Sequence, residues 1–203
     1  ETLPNEIIGS STILLQPATP GRPIVIGAAG AASDFALSTA EIASLQNGFS
    51  SITIGRSNGT GGATISAITF NDPVTIRSPS GGTIAVNDQI TGADNASVTL
   101  TGATSIASSL PIAISTVDQN ITITGNVTLA AAADTKLTTA TAGAGNITIT
   151  GNIEGTGAGL ESLALTSGSG TIGVSGTIGN TIKLGTLTLQ EDVAGSIGAV
   201  TLS

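Results

Sequence analysis

The chain contains no cysteine, methionine, tryptophan, tyrosine or histidine, and only three phenylalanines (Phe35, Phe49 and Phe70) in 203 residues. Each absence removes a class of function. Without cysteine there is no disulfide framework, which fits an exported bacterial protein that avoids redox chemistry. Without histidine or cysteine, nucleophilic triads and metal-hydrolase sites have no material. A globular core of this size would hold several aromatics, because they bury large areas. The interior must therefore be narrow and aliphatic. The aromatic girdles of an outer-membrane barrel are missing, and no apolar run approaches the roughly 18 residues of a membrane-spanning helix. Charge is also scarce: 9% of residues, 5 Lys and Arg against 13 Asp and Glu, for a net charge of -8. With no basic patch and almost no stacking groups, the composition argues against nucleic acid as a partner. A mean hydropathy of +0.41 excludes a typical disordered chain.

What is present is a repeat. The heptad NITITGN occurs at residues 120–126 and again at 146–152. Ile121 and Ile123 alternate with Thr122 and Thr124, as Ile147 and Ile149 do with Thr148 and Thr150, the period of a strand with one apolar face. Both residue types are β-branched and suit a pleated surface. Gly125 and Gly151 then permit a sharp corner. Related strands begin at Ser51, Pro73, Ser97, Asn120, Asn146, Thr171 and Ser196, at intervals of 22, 24, 23, 26, 25 and 25 residues. Each unit carries further strand-like pieces separated by turn residues, and in the three units from Asn120, Asn146 and Thr171 they follow at offsets of about 6 and 16 residues. This predicts an all-β fold: a parallel β-helix, or β-solenoid, of about seven to eight coils of 22–26 residues with three short strands per coil. At about 4.8 Å per rung it would stand roughly 40 Å tall.

Residues 51–203 read as regular coils and 1–50 as irregular N-terminal ones, in one continuous domain. Residues 12–16 and 24–26 are strand-like. A short helix is expected at 38–47, with Ser38 and Glu41 at capping-box spacing, Ile42 and Leu45 on one face and Gly48 as its C′ residue. The alternative there is two strands, at 36–38 and 42–45. Phe49 is expected to plug the interior and Phe70 to point inward. The chain begins at Glu1 without Met or signal peptide, and stops at Ser203 in a strand-like stretch without a polar cap, so it reads as a piece of something longer.

The runs NGFSSITIG (residues 47–55) and FNDPVTI (70–76), with the NITITGNV-type coils, resemble the internal repeats of large bacterial surface proteins of the filamentous-haemagglutinin-like and cyanobacterial-type adhesin classes. The resemblance extends over residues 36–203. It implies a right-handed parallel β-helix, export to the cell surface, and service as a stalk or adhesive shaft. The NPNG-type secretion motif of the two-partner family is absent, so no transport role is carried over.

Candidate chemistry is sparse. Glu154 and Glu161 fall in a turn of one coil and Glu191 and Asp192 in a turn of a later one, candidates for the paired carboxylates of a β-helix glycosidase. The reading is of solvated turn charges rather than of an enzyme. Asp72, Asp94 and Asp118 lie just before successive unit starts, and stacking would bring them to one corner as oxygen ligands for Ca²⁺. Ordinary turn residues are the competing reading, and no other cofactor is implied. Thr99, Thr101, Thr122, Thr124, Thr148 and Thr150 form three outward Thr-x-Thr pairs, an array similar to the ice-binding faces of some antifreeze solenoids. Asn120 and Asn146 are placed to form a ladder tying adjacent coils. Five glycosylation-type sequons, at Asn58, Asn95, Asn120, Asn126 and Asn146, arise from composition. The expected function is a structural shaft or adhesive segment of an extracellular or cell-surface bacterial protein. Its expected partners are itself, through open solenoid ends that join into filaments, or a surface receptor or glycan. The alternatives are a β-helix carbohydrate-active enzyme and an ice-binding module.

Overall fold

The computed structural model describes residues 7–108, 110–130, 134–139, 145–191 and 200–202. Strands wind into three parallel sheets that form a β-solenoid. The first sheet stacks Thr12–Leu15, Ser51–Ile54, Val74–Arg77, Val98–Thr101, Ile121–Thr124, Ile147–Ile149, Ile172–Val174 and Val200–Leu202 in that order. The second runs from Phe35–Leu37 through Ile24–Ile26, Ala63–Ile65, Thr83–Val86, Ala103–Ile106 and Val127–Leu129 to Ile153–Glu154. The third runs from Ile68–Phe70 through Ile90–Gly92, Ile112–Thr116, Asp134–Thr138 and Ser162–Ser167 to Leu187–Glu191. Five turns, from Ser51 to Ser167, contribute a strand to all three sheets, with incomplete turns before and after. This is fewer than the seven to eight full coils expected, because the end turns lack one strand each. The unit start at Ser196 lies outside the described residues; the chain rejoins the first sheet at Val200–Leu202.

The register explains the period. Ile52, Val74, Val98, Ile121, Ile147 and Ile172 pair in one column of the first sheet, each one residue beyond an expected unit start. The matching third-sheet residue follows sixteen residues later in four turns, from Ile52 to Ile68, Val74 to Ile90, Val98 to Ile114 and Ile121 to Leu137. The second strand does not keep its place. It begins six residues on from Val98 to Thr104 and from Ile121 to Val127, but Ile52 leads only to Ala63 and Val74 only to Ile84. The early turns have a long first corner (residues 55–62 and 78–82) and a short second one (66–67 and 87–89); the later turns reverse this.

Alternate residues of all three sheets point inward. Ile54, Ile76, Leu100, Ile123 and Ile149 stack with no exposed surface, as do Ile26, Ile65, Val86, Ile106 and Leu129. Columns of aliphatic side chains fill the interior, and of the aromatics Phe49 and Phe70 are buried in it.

Residues 35–49 resolve the expected alternatives by using both. Phe35–Leu37 is a strand paired with Ile24–Ile26, and Thr39–Ala43 is a helix. Ser38 caps it: the Ser38 amide donates to Glu41 Oε2 at 2.8 Å, and the Glu41 amide to Ser38 Oγ at 3.3 Å. The helix is shorter than expected and ends at the C-cap Ser44, so Gly48 is not its C′ residue. Leu45 instead bridges in parallel to Ile7. The helix lies beside Ile68–Phe70, the first strand of the third sheet, where a preceding strand would otherwise pair.

The glycine of the heptad has a steric cause. Gly125 sits at φ 134°, and a Cβ there would lie 2.4 Å from the Gly102 carbonyl oxygen one turn earlier; at Gly151 the corresponding distance, to the Gly125 oxygen, is 2.1 Å. Gly173, on an outward column, has nothing within 4 Å of such an atom. Gly151→Ala should therefore cost about 1–3 kcal/mol, whereas Gly173→Ala should be neutral or slightly stabilising. Chemical denaturation of both variants checks this, and equal losses would contradict the corner packing.

Candidate functional site

Residues singled out in the sequence fall into five groups. Ile121, Ile123, Ile147 and Ile149 are wholly interior, where they pack the core. Asn120 and Asn146 stand on consecutive rungs at the entry to the first sheet. Asn120 Oδ1 accepts the Asn146 amide at 2.8 Å, and Asn146 Oδ1 accepts the Thr171 amide at 2.7 Å and the Thr171 hydroxyl at 3.0 Å. The ladder therefore runs from side chain to backbone, not from amide to amide. A second one, missed in the sequence, flanks the strand's other end: Asn126 Oδ1 accepts the Asn152 amide and Asn152 Oδ1 the Thr177 amide, both at 3.0 Å. The heptad's closing asparagines were the available signal.

The three aspartates lie at the corner between the third sheet and the first. Asp72 is buried, and its Oδ1 accepts the Gly48 amide at 2.9 Å. Asp94, at φ 51°, accepts from Asn47 Nδ2 at 2.6 Å. Asp118 adopts a similar left-handed backbone at φ 60°, which aspartate tolerates at turns. Among the described residues no three His, Cys, Asp or Glu side chains are placed to hold a metal. Asp72 and Asp94 instead fasten the segment that follows the helix, a job invisible to any reading that compared the coils only with one another.

The glutamates are also occupied. Glu154 ends a strand of the second sheet rather than lying in a turn, and its carboxylate accepts the Thr181 amide at 3.1 Å and the Ile182 amide at 2.8 Å in the next turn. Glu161, 1% exposed, accepts the Thr156 hydroxyl and the Gly157 amide across its own loop. The Thr156 hydroxyl, above all, holds this carboxyl below the usual carboxylate range, against the opposing effect of burial. Asp192 lies outside the described residues. Glu154 and Glu161 thus pin loops, between turns and within one.

The outer face of the first sheet is broader than the three Thr-x-Thr pairs. Its central column reads Thr53, Thr75, Thr99, Thr122 and Thr148 without a break, between Leu14 and Gly173. Beside it stand Arg77, Thr101 and Thr124 in register, and then Thr150. Counting pairs hid the five-rung column that alignment of the unit starts contains.

Positive charge is distributed by corner. Arg22, Arg56 and Arg77 all lie where the chain passes from the first sheet to the second, on three successive turns. No Asp or Glu occurs at this corner in residues 16–23, 55–62, 78–82, 102, 125–126 or 150–152. The expectation of no basic patch is corrected to that extent: winding gathers three of the five cations at one edge. Each guanidinium is anchored by main-chain carbonyls: Arg22 on Ser33 and Asp34, Arg56 on Pro17 and Ala18, and Arg77 on Gly55. Below them the corner shortens, leaving an open groove of about 550 Å³ lined by Pro79, Thr101, Gly102, Ala103, Thr124, Gly125, Asn126, Thr150 and Gly151. A larger open depression of about 750 Å³ near the last turns is lined, among the described residues, by Ile178, Leu184, Leu187 and Lys183 with no carboxylate.

No family model matches the chain, and no curated protein or solved structure matches it significantly.

The depressed Glu161 carboxyl makes a pH prediction. Its contribution is complete above the pKa of the unfolded carboxyl and is lost as pH falls through the lower folded value. The melting-temperature gap between wild type and Glu161→Gln should be widest near pH 7 and close below about pH 4. A gap constant across that range would contradict the assignment.

Proposed function

We propose that this chain is a shaft segment of a secreted or cell-surface bacterial repeat protein, with an adhesive surface along one edge. The observation that carries the reading is the unbroken first sheet, eight parallel strands over an interior of stacked aliphatic residues. At about 4.8 Å per rung this sheet is about 34 Å tall. Such an arrangement resists bending, grows by adding turns, and presents each outward column at a fixed step. The carboxylates serve loops, which supports a structural reading over a β-helix carbohydrate-active enzyme. End-to-end joining into filaments would use open sheet edges. At the N-terminal side such joining must displace the helix Thr39–Ala43 from beside the third sheet.

The five-rung threonine column supports a second reading, an ice-binding face, since regular β-branched hydroxyl residues on a flat sheet offer methyl and hydroxyl groups at a constant spacing.

Two measurements separate these readings. Held by its ends and stretched, a shaft of nearest-neighbour turns should lengthen in steps of one turn, each about 80 Å for 22–26 residues. A single all-or-none release would contradict it. Thermal hysteresis lost in Thr122→Lys would establish the ice-binding reading, and none in wild type would remove it.

A further inference from the structure

We infer that the first corner is a binding groove for an acidic polysaccharide, a linear chain of sugars bearing carboxylate or sulfate groups. The inference deepens the adhesive part of the proposed function, on which it rests, by naming the class of ligand.

Three independent features converge there. The first is charge. In a molecule of net charge -8, Arg22, Arg56 and Arg77 share one edge whose corner segments contain no Asp or Glu; Asp34 stands beside Arg22, its carbonyl accepting from Arg22 Nη2 at 2.7 Å. None of the three forms an ion pair with a described residue, and each is held through part of its guanidinium by main-chain carbonyls. Anchoring of this kind fixes the planar fork in advance and leaves further N–H groups for an anion. The Nη1 and Nη2 groups of Arg77 have no partner among the described residues.

The second feature is shape. The long corners of the early turns stack on one another: the Thr60 amide donates to the Pro20 carbonyl and the Ser80 amide to the Gly59 carbonyl, both at 2.9 Å. The next turns have a corner of one to three residues. The step between them opens a shallow groove along the corner. Pro79 forms its upper wall, and its floor follows the solenoid axis.

The third is lining chemistry. Arg77 stands in the same outward column as Thr101 and Thr124, with Thr150 on the next rung. Arg77 stands one rung before Thr101, outside the groove's own lining and with its Nε on the Gly55 carbonyl; its remaining N–H groups, followed by the threonine hydroxyls and the Asn126 amide of the lining, are a donor and acceptor set for an anionic group followed by sugar hydroxyls. A linear groove along a ridge fits a chain better than it fits a flat lipid surface. The absence of stacking side chains disfavours single-stranded nucleic acid.

Calorimetric titration of the whole chain tests this with three probes: tetragalacturonate, a sulfated tetrasaccharide and neutral maltotetraose. At about 0.05 M salt, where screening is weak, one or both anionic probes should bind and the neutral one should not. Which of them binds identifies the source of the anion. Arg77→Gln should weaken binding about tenfold or more, and Arg77→Lys less, because only arginine offers the fork. Thr124→Val keeps the β-branched shape and checks the groove floor without touching the arginine anchor; it should weaken binding severalfold. Lys183→Gln, elsewhere on the molecule, should change nothing. The proposal is overturned if no anionic probe binds, if maltotetraose binds equally, or if binding survives both Arg77→Gln and Thr124→Val. Stepwise extension with no glycan binding would leave the shaft and remove the groove.

Discussion

Every structural feature here depends on the parallel backbone ladder between a strand and its counterpart one turn away. In-register parallel pairing places like residues over like residues, so whatever one turn has at a position the next turn must accommodate. Isoleucine stacks on isoleucine inside, threonine on threonine outside, and asparagine over asparagine at the corners. The same constraint makes glycine necessary where two corners touch, because each would-be Cβ at Gly125 and Gly151 meets the carbonyl of the turn before. Length is conserved for the same reason. When the first corner shortens, the second grows, and the third sheet stays in step.

The ladder also sorts chemistry by edge. Winding a chain of period 22–26 residues sends each segment type to a single corner, so a charge bias too weak to notice along the sequence becomes an edge in space. The arginines collect at the first corner, while Asp72, Asp94 and Asp118 fall at the third. There Asp72 and Asp94 hold residues 47–48 and so fasten the segment following the helix Thr39–Ala43. A sheet edge left open invites pairing with another chain. Covering it with a short capped helix is a physical answer to that hazard.

How much of this was legible follows the same logic. The heptad fixes strand, face and period by itself, since alternation of Ile and Thr and a following glycine are local signals, and the interior residues Ile121, Ile123, Ile147 and Ile149 could be read directly. The helix cap was legible through Ser38 and Glu41, but its end was not, because Leu45 is claimed by a bridge to Ile7 that no local rule announces. The fastening done by Asp72 and Asp94 could not be read, because their partners, Gly48 and Asn47, lie in a segment outside the repeat. The arginine edge was missed because Arg22, Arg56 and Arg77 have different spacings in sequence and coincide only after winding.

The central claim is that outward positions one turn apart in sequence are one rung apart in space. Since the chain has no cysteine, pairs introduced at Thr53, Thr75, Thr99, Thr122 and Thr148 can be spin-labelled cleanly and their separations measured. The account predicts backbone separations that grow by about 4.8 Å for each rung crossed, so that Thr53 and Thr148 lie about 19 Å apart. Separations that fail to increase with rung number, or that place Thr53 and Thr148 no farther apart than Thr122 and Thr148, would contradict the ladder and everything built on it.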